Sequence, residues 1–224
     1  IGYLPRPRQA KMWSYQGIAH GCSSLMYFRY RGATKGAEQY CYGIIDQDNV
    51  KRRKFYEVQS FFKEMKENEA LTQSEVKSDV AVVYDYESMA SFRIQRQSFL
   101  MDYKQEVYRL YRPFYKKNIN MDVIPSDSDF DKYKVLLLPV MIVHKKEVQD
   151  KVRKFVSGGG TVVFTYRTAV KDYYNNLTLG QFNPTYYTDL VGGYVEEVES
   201  FQDDQVAFLI GNEEFEGING TATV

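Results

Sequence analysis

The chain has 224 residues, enough for one ordinary domain plus a smaller folded piece. Lys+Arg and Asp+Glu each number 29, so the formal charge is zero. That argues against nucleic acid or an acidic membrane as partner, because both favour a basic surface.

No apolar run approaches the ~18 residues of a membrane span. Two cysteines, Cys22 and Cys41, make neither a disulfide framework nor a zinc ribbon. A reducing, cytoplasmic setting is the expectation. Aromatic content is high, with 20 Tyr and 14 Phe. Such rings stack on sugars, but they also serve as amphipathic core-and-rim residues, so composition does not choose between the two.

In chain order, Gln9 to His20 has helical spacing, with Ala10, Trp13, Gln16–Gly17 and Ala19–His20 on one packing face, and Gly21 stops it. Ser24 to Tyr30 (SLMYFRY) predicts a short buried strand, followed by a polar loop, Arg31–Gly36. Lys51 to Glu67 predicts an amphipathic helix lined by Phe55, Val58, Phe61, Phe62 and Met65. The polar stretch Lys66–Ser78 reads as a linker. Helix, strand and carboxylate-bearing loop in that order suggest the end of an enzyme barrel whose earlier strands lie outside this sequence. Apolar faces such as Leu25, Tyr27, Phe55 and Phe61 would then need cover.

From Asp79 the pattern changes. DVAVVYD (79–85), MDVIP (121–125), KVLLLPVMIV (134–143) and TVVFTY (161–166) predict four strands, and YVEEVES (194–200) a fifth. Helices are expected over Phe99–Asn118 and Lys145–Ser157. Near-continuous apolar strands alternating with amphipathic helices predict an open parallel sheet with helices on both faces. Its expected order is flavodoxin-like, the class I glutamine-amidotransferase-like arrangement. Beyond about Phe201 the pattern weakens into what reads as the start of a further, truncated β region (201–224).

Asp85, Tyr86 and Glu87 follow the first strand of that sheet, where open α/β sheets bind ligands. They read either as a small-molecule crevice or as a strand-end cap and subunit contact. Gly158–Gly160 precedes a strand, so it reads as a helix C-cap rather than a phosphate loop. An amidotransferase-like enzyme needs a nucleophile at the turn after TVVFTY, where only Thr165, Tyr166 and Arg167 are on offer, and no thiol occurs in this region. His20 and His144 lack ligand spacing, so no metal is expected. Nothing local activates Cys41, which reads as a small buried or pocket-lining residue. Glu38 lies in the loop after the first strand, the place where barrel enzymes hold substrate, though a lone loop glutamate is also ordinarily solvated.

WSYQGIAHG (13–21), the tetrad FRYR (28–31) and GAEQY (36–40) resemble the last strand-and-loop segment of glycoside hydrolase family 42 β-galactosidases. DVAVVYDYES (79–88), MDVIPSDSDFDKYKVLLLPVMIV (121–143) and VSGGGTVVFTYRTAVKD (156–172) resemble that family's trimerisation domain. The likeness spans about residues 5 to 200.

It implies a barrel remnant over 1–68, comprising the last strand and helices of a (β/α)8 barrel, and a homotrimerising domain over 79–200. The parent enzyme would be a retaining β-galactosidase that needs no cofactor or catalytic metal. Glu38 falls on the family's galactose-hydroxyl-binding glutamate. Cys41 stands where the family usually has a sugar-contacting histidine, and Tyr30 stands in place of the usual tryptophan. Arg29 and Arg31 fit a structural basic position at the strand end. The paired carboxylates of a retaining glycosidase, roughly 5 Å apart, would lie on upstream strands, so the chain alone is expected to be inactive. The alternative is a non-catalytic oligomerisation or carbohydrate-binding module, and the coding sequence upstream would separate the two.

Overall fold

The computed structural model describes residues 3–39, 41–198, 205–210 and 213–218, with residues 71–72 and the last two segments described by their backbone. The chain divides into two compact units, 1–77 and 78–224.

In the first unit, α1 (Gln9–Ala19) and α2 (Arg53–Glu67) pack together, and a short α3 (Glu69–Gln73) follows. The stretch read as a linker is therefore partly helical. Trp13 is exposed, contrary to the face expected for α1, where Ser14 is the buried residue. What joins the two helices is largely polar. Lys11 and Tyr15 both bond the Glu64 carboxylate, and Tyr15 also meets Phe61 edge-on with ring centroids 5.2 Å apart. Phe61 is fully covered, whereas Phe62 on the same helix is half exposed.

Residues 24–30 do not form the expected strand. A strand needs neighbours for its ladder, and among the described residues the pairing here is limited to the parallel bridge Arg31↔Ile45, with the Ile44 and Ile45 N–H groups donating to the carbonyls of Arg29 and Tyr30. Met26, Phe28 and Tyr30 consequently face solvent.

The second unit is built on four parallel strands, β1 (Val80–Tyr84), β2 (Met121–Pro125), β3 (Val135–Leu138) and β4 (Thr161–Phe164), in the order β2-β1-β3-β4. Val80 pairs with Met121 on one side and Val135 on the other, and Val135 pairs with Thr161. The apolar runs of β1 and β3 are buried because both faces are covered. Ala81, Val83, Leu136 and Leu138 pack on one side with Val148, Val152 and Phe155 of α6 (Lys146–Ser157). On the other side, Val80, Val82 and Leu137 pack with Tyr103 and Val107 of α5 (Tyr103–Lys116). Three layers result.

Several boundaries differ from the sequence reading for local reasons. β3 ends at Leu138 because Pro139 has no N–H to donate and Val140 takes a φ of 43°. α5 starts at Tyr103 because the Asp102 carboxylate accepts from the N–H groups of Lys104 (2.9 Å) and Gln105 (3.3 Å). An unexpected helix, α4 (Tyr86–Ile94), precedes it. The triple glycine is a helix end. Gly159 has a φ of 90°, and a Cβ on Gly160 would clash with the Phe155 ring. Residues 194–198 make a single bridge, Asn183↔Val195, rather than a fifth strand, and 199–200 lie outside the described residues. After α7 (Thr188–Val191), β5 (Gln205–Ile210) and β6 (Glu213–Ile218) form an antiparallel pair.

Candidate functional site

Two regions carry the residues singled out above. In the first unit, the Glu38 carboxylate is exposed and forms an ion pair with Arg29, whose guanidinium lies 4.8 Å from the centre of the Phe28 ring. Arg29, expected as a structural residue at a strand end, is here the ion-pair partner of this carboxylate. Cys41 is an exposed free thiol, and its N–H donates to the Glu38 carbonyl at 3.0 Å. The loop thus holds the two residues close in space, while Tyr40 between them is outside the described residues.

A cavity of about 750 Å³ adjoins the thiol, lined by Gly32, Gln39, Cys41, Tyr42, Asp46 and Lys54 among others. The Lys54 ammonium closes one wall by donating to the Gly43 carbonyl and to Asp46, each at 2.9 Å. Glycine is required at 43, because a Cβ would sit 2.7 Å from the Ile45 carbonyl oxygen. This wall can present hydroxyl-binding groups, and the two carboxylates in the cavity's lining, Asp46 and Asp48, are both ion-paired with Arg52.

The second region is the carboxyl edge of the sheet. Asp85 directly follows β1 and is 2% exposed. Its carboxylate caps α4 by accepting from Ser88 N–H (2.8 Å), and it accepts the Ser126 hydroxyl (2.9 Å). Burial raises its pKa. The Asp85 N–H donates to the Tyr103 hydroxyl at 2.8 Å. The carboxylate is thus consumed as a cap, which is one of the two alternatives the sequence left open.

α4 is tied to the segments that follow β3 and β4. Ser88 Oγ accepts from Val143 N–H at 3.1 Å, Glu87 forms an ion pair with Lys145, and Ser91 donates to Asn175 Oδ1 at 2.6 Å. Buried Lys171 completes the lock, donating to Ser91 Oγ (3.3 Å) and Asn175 Oδ1 (3.1 Å), and desolvation lowers its pKa. Sequence reasoning passed over Ser88, Ser91, Lys171 and Asn175. The D-x-x-S spacing of Asp85 and Ser88 was the available signal for the cap, and nothing in sequence links Lys171 to Ser91.

At the turn after β4, the Thr165 hydroxyl accepts from Val140 N–H (2.6 Å) and donates to the Leu138 carbonyl (3.2 Å). It is a structural tie between two strand ends. Among the described residues, no group of three His, Cys, Asp or Glu side chains could hold a metal ion, and no helix is long and apolar enough to cross a membrane.

His144 is buried, with Nε2 3.0 Å from the Tyr187 hydroxyl and its ring 5.0 Å from that of Tyr186. Burial, aided by the Lys146 charge, pushes its pKa from 6.5 down to about 4. The unfolded chain therefore binds a proton at this position more readily than the folded one, so stability is full above pH 6.5 and is lost as pH falls toward 4. At about 1.4 kcal/mol per pH unit, His144 should account for about 3 kcal/mol of that acid loss. Urea midpoints measured from pH 7 to 4 should fall less steeply in a His144→Phe variant, and equal slopes would refute the assignment.

The second unit is a three-layer α/β domain on a four-stranded parallel sheet, and the first is an α-helical unit that bears a polar loop. Comparison with known proteins specifies the class. Residues 78–222 match the family model described as beta-galactosidase trimerisation domain, and residues 1–68 match that described as beta-galactosidase. The chain is 32% identical over 196 residues to beta-galactosidase BgaA of Clostridium cellulovorans, covering 87% of this chain and 30% of that protein.

Solved structures agree. The beta-galactosidase of Bacillus circulans sp. alkalophilus superposes with a TM-score of 0.85 at 28% identity, over 96% of this chain and 33% of that one. Gan42B, a GH42 beta-galactosidase from G. stearothermophilus, gives 0.83 at 28% identity, over 96% and 32%. The chain belongs to the glycoside hydrolase family 42 β-galactosidases, and it spans about 30% of the length of the relatives it matches. Those relatives are glycoside hydrolases.

Proposed function

We propose that this chain is the C-terminal part of a retaining β-galactosidase that acts on terminal β-D-galactosides, and that its main contribution is homotrimerisation. The observation that carries this reading is the pair of consecutive family matches, enzyme model then trimerisation model, over a chain about a third as long as its relatives. Residues 1–68 then close the catalytic barrel, 79–200 form a flavodoxin-like trimerisation domain, and 201–224 open a further β region. The order β2-β1-β3-β4 with helices on both faces supports the flavodoxin-like description. A cytoplasmic enzyme with no catalytic metal fits the two free thiols.

Glu38 accepts a galactose hydroxyl, held in place by Arg29, and Cys41, whose N–H bonds the Glu38 carbonyl, lines the neighbouring cavity. A thiol donates weakly, so Cys41 contributes contact more than orientation. Neither residue performs bond cleavage, because the two carboxylates that do so would lie on upstream strands. The chain alone therefore hydrolyses no galactoside. In the enzyme carrying the complete barrel, Glu38→Ala should lower kcat/KM by roughly 100-fold, the loss of a hydrogen bond to a charged acceptor in a desolvated site. Unchanged kcat/KM, or turnover by the 224-residue chain alone, would overturn the assignment.

A further inference from the structure

The turn after β4, where an amidotransferase-like enzyme would hold its nucleophile, carries Arg167 instead. A cavity of about 190 Å³ opens at this turn, lined by Phe164, Arg167, Val170, Asn183, Pro184 and Val195 among others. The carboxyl ends of parallel strands are where open α/β sheets bind ligands. At β1 the polar group in that position is spent on the Asp85 cap, whereas the end of β4 is hollow.

The walls of the hollow are held by the fold itself. Thr168 Oγ donates to the Thr165 carbonyl at 2.8 Å, and the N–H groups of Ala169 and Val170 donate to the carbonyls of Met141 (2.8 Å) and Ile142 (3.1 Å). The Thr185 N–H donates to the Ala169 carbonyl at 3.0 Å, and the Val195 N–H to the Asn183 carbonyl at 2.9 Å. Within this frame Arg167 takes a φ of 60°, a left-handed conformation that favours glycine. A long cationic side chain there is backbone strain maintained by its surroundings, and such strain gathers at binding turns.

Charge and shape decide what fits. Arg167 is the one charged group among the described lining residues, it is half-buried, and its guanidinium meets no acceptor among the described residues. The Asn183 amide oxygen accepts from Thr185 Oγ at 3.2 Å, which leaves the amide NH₂ as a second donor. Val170, Pro184, Val191 and Val195 make the remaining wall apolar. Donors beside an apolar hollow suit an acceptor-only anion on an apolar body, and the planar guanidinium fork matches a carboxylate. At ~30 Å³ per water the hollow has room for about six waters, so its ligand is small.

We propose that the carboxyl end of β4 is a binding site for a small monocarboxylate with a compact apolar body, its carboxylate held by Arg167 and Asn183.

Benzoate is the probe, titrated calorimetrically into the full 224-residue chain. Benzyl alcohol supplies the ring without the charge, and inorganic phosphate the charge without the ring. Benzoate should bind saturably and at least roughly 10-fold more tightly than either. Arg167→Gly suits the left-handed backbone, so it should keep or raise the urea midpoint while weakening benzoate roughly 10- to 100-fold. Val191→Trp crowds the cavity, leaves Arg167 in place and should abolish benzoate binding too, so the site stays testable if one variant fails to fold. The proposal is overturned if the wild-type chain does not bind benzoate, if benzyl alcohol binds equally well, if phosphate binds more tightly, or if benzoate binding survives in the folded variants.

Discussion

Leu138→Ala should destabilise the sheet unit by about 3–5 kcal/mol, the upper part of the range for a buried leucine. Leu138 is fully buried on β3, a strand with a paired neighbour on each side, and it packs in the cluster with Ala81, Val83 and Phe155. The cavity cannot collapse easily, because β1 and β4 hold β3 through parallel ladders from both flanks. A loss of this size is a large fraction of the ~5–15 kcal/mol that ordinarily separates folded from unfolded chains. Urea unfolding should show a lowered midpoint with an unchanged slope. A change below about 1 kcal/mol would mean that Leu138 is not in a packed core.

Asp85→Ala should cost about 2–4 kcal/mol, from loss of a helix cap together with two buried donors left without their acceptor. Ser88 N–H and the Ser126 hydroxyl both point at this carboxylate. Asp85→Asn should cost much less. Its amide oxygen can still accept from Ser88, its NH₂ can donate to Ser126 Oγ, and the burial that raises the Asp85 pKa no longer opposes a charge. The comparison separates a structural cap from a ligand-binding acid. Equal losses for the two variants in urea midpoint would contradict the cap.

Much of the sheet was legible because its code is local. VAVVY and VLLL are too apolar along their length for a one-sided strand, so burial on both faces followed, and the triple glycine marks a helix end as expected. The errors arose where tertiary partners decide. SLMYFRY has strand composition, yet among the described residues its backbone pairs only with Ile44 and Ile45. KVLLLPVMIV looked like one strand because apolarity continues past Pro139, whereas the chain turns there and the Val140 N–H donates to the Thr165 hydroxyl. α4 was missed because YESMASFRI has no apolar stripe, its buried side being two serines and Phe92, held by hydrogen bonds to residues far along the chain.

The candidate sites divide in the same way. Glu38 stood out through a motif and Cys41 as a departure three residues later, and a backbone bond joins the two. Arg29 was read as structural because sequence could not reveal its ion pair with Glu38. At Asp85 the residue type suggested chemistry, and only the geometry of Ser88, Ser126 and Tyr103 assigns it to holding a helix.

The central claim is that residues 79–200 carry the information for self-association. Light scattering coupled to gel filtration, run over a dilution series of the wild-type chain, tests it most directly. The account predicts a species of three times the 26.2 kDa chain mass that persists on dilution. A mass of 26.2 kDa at every concentration would contradict it.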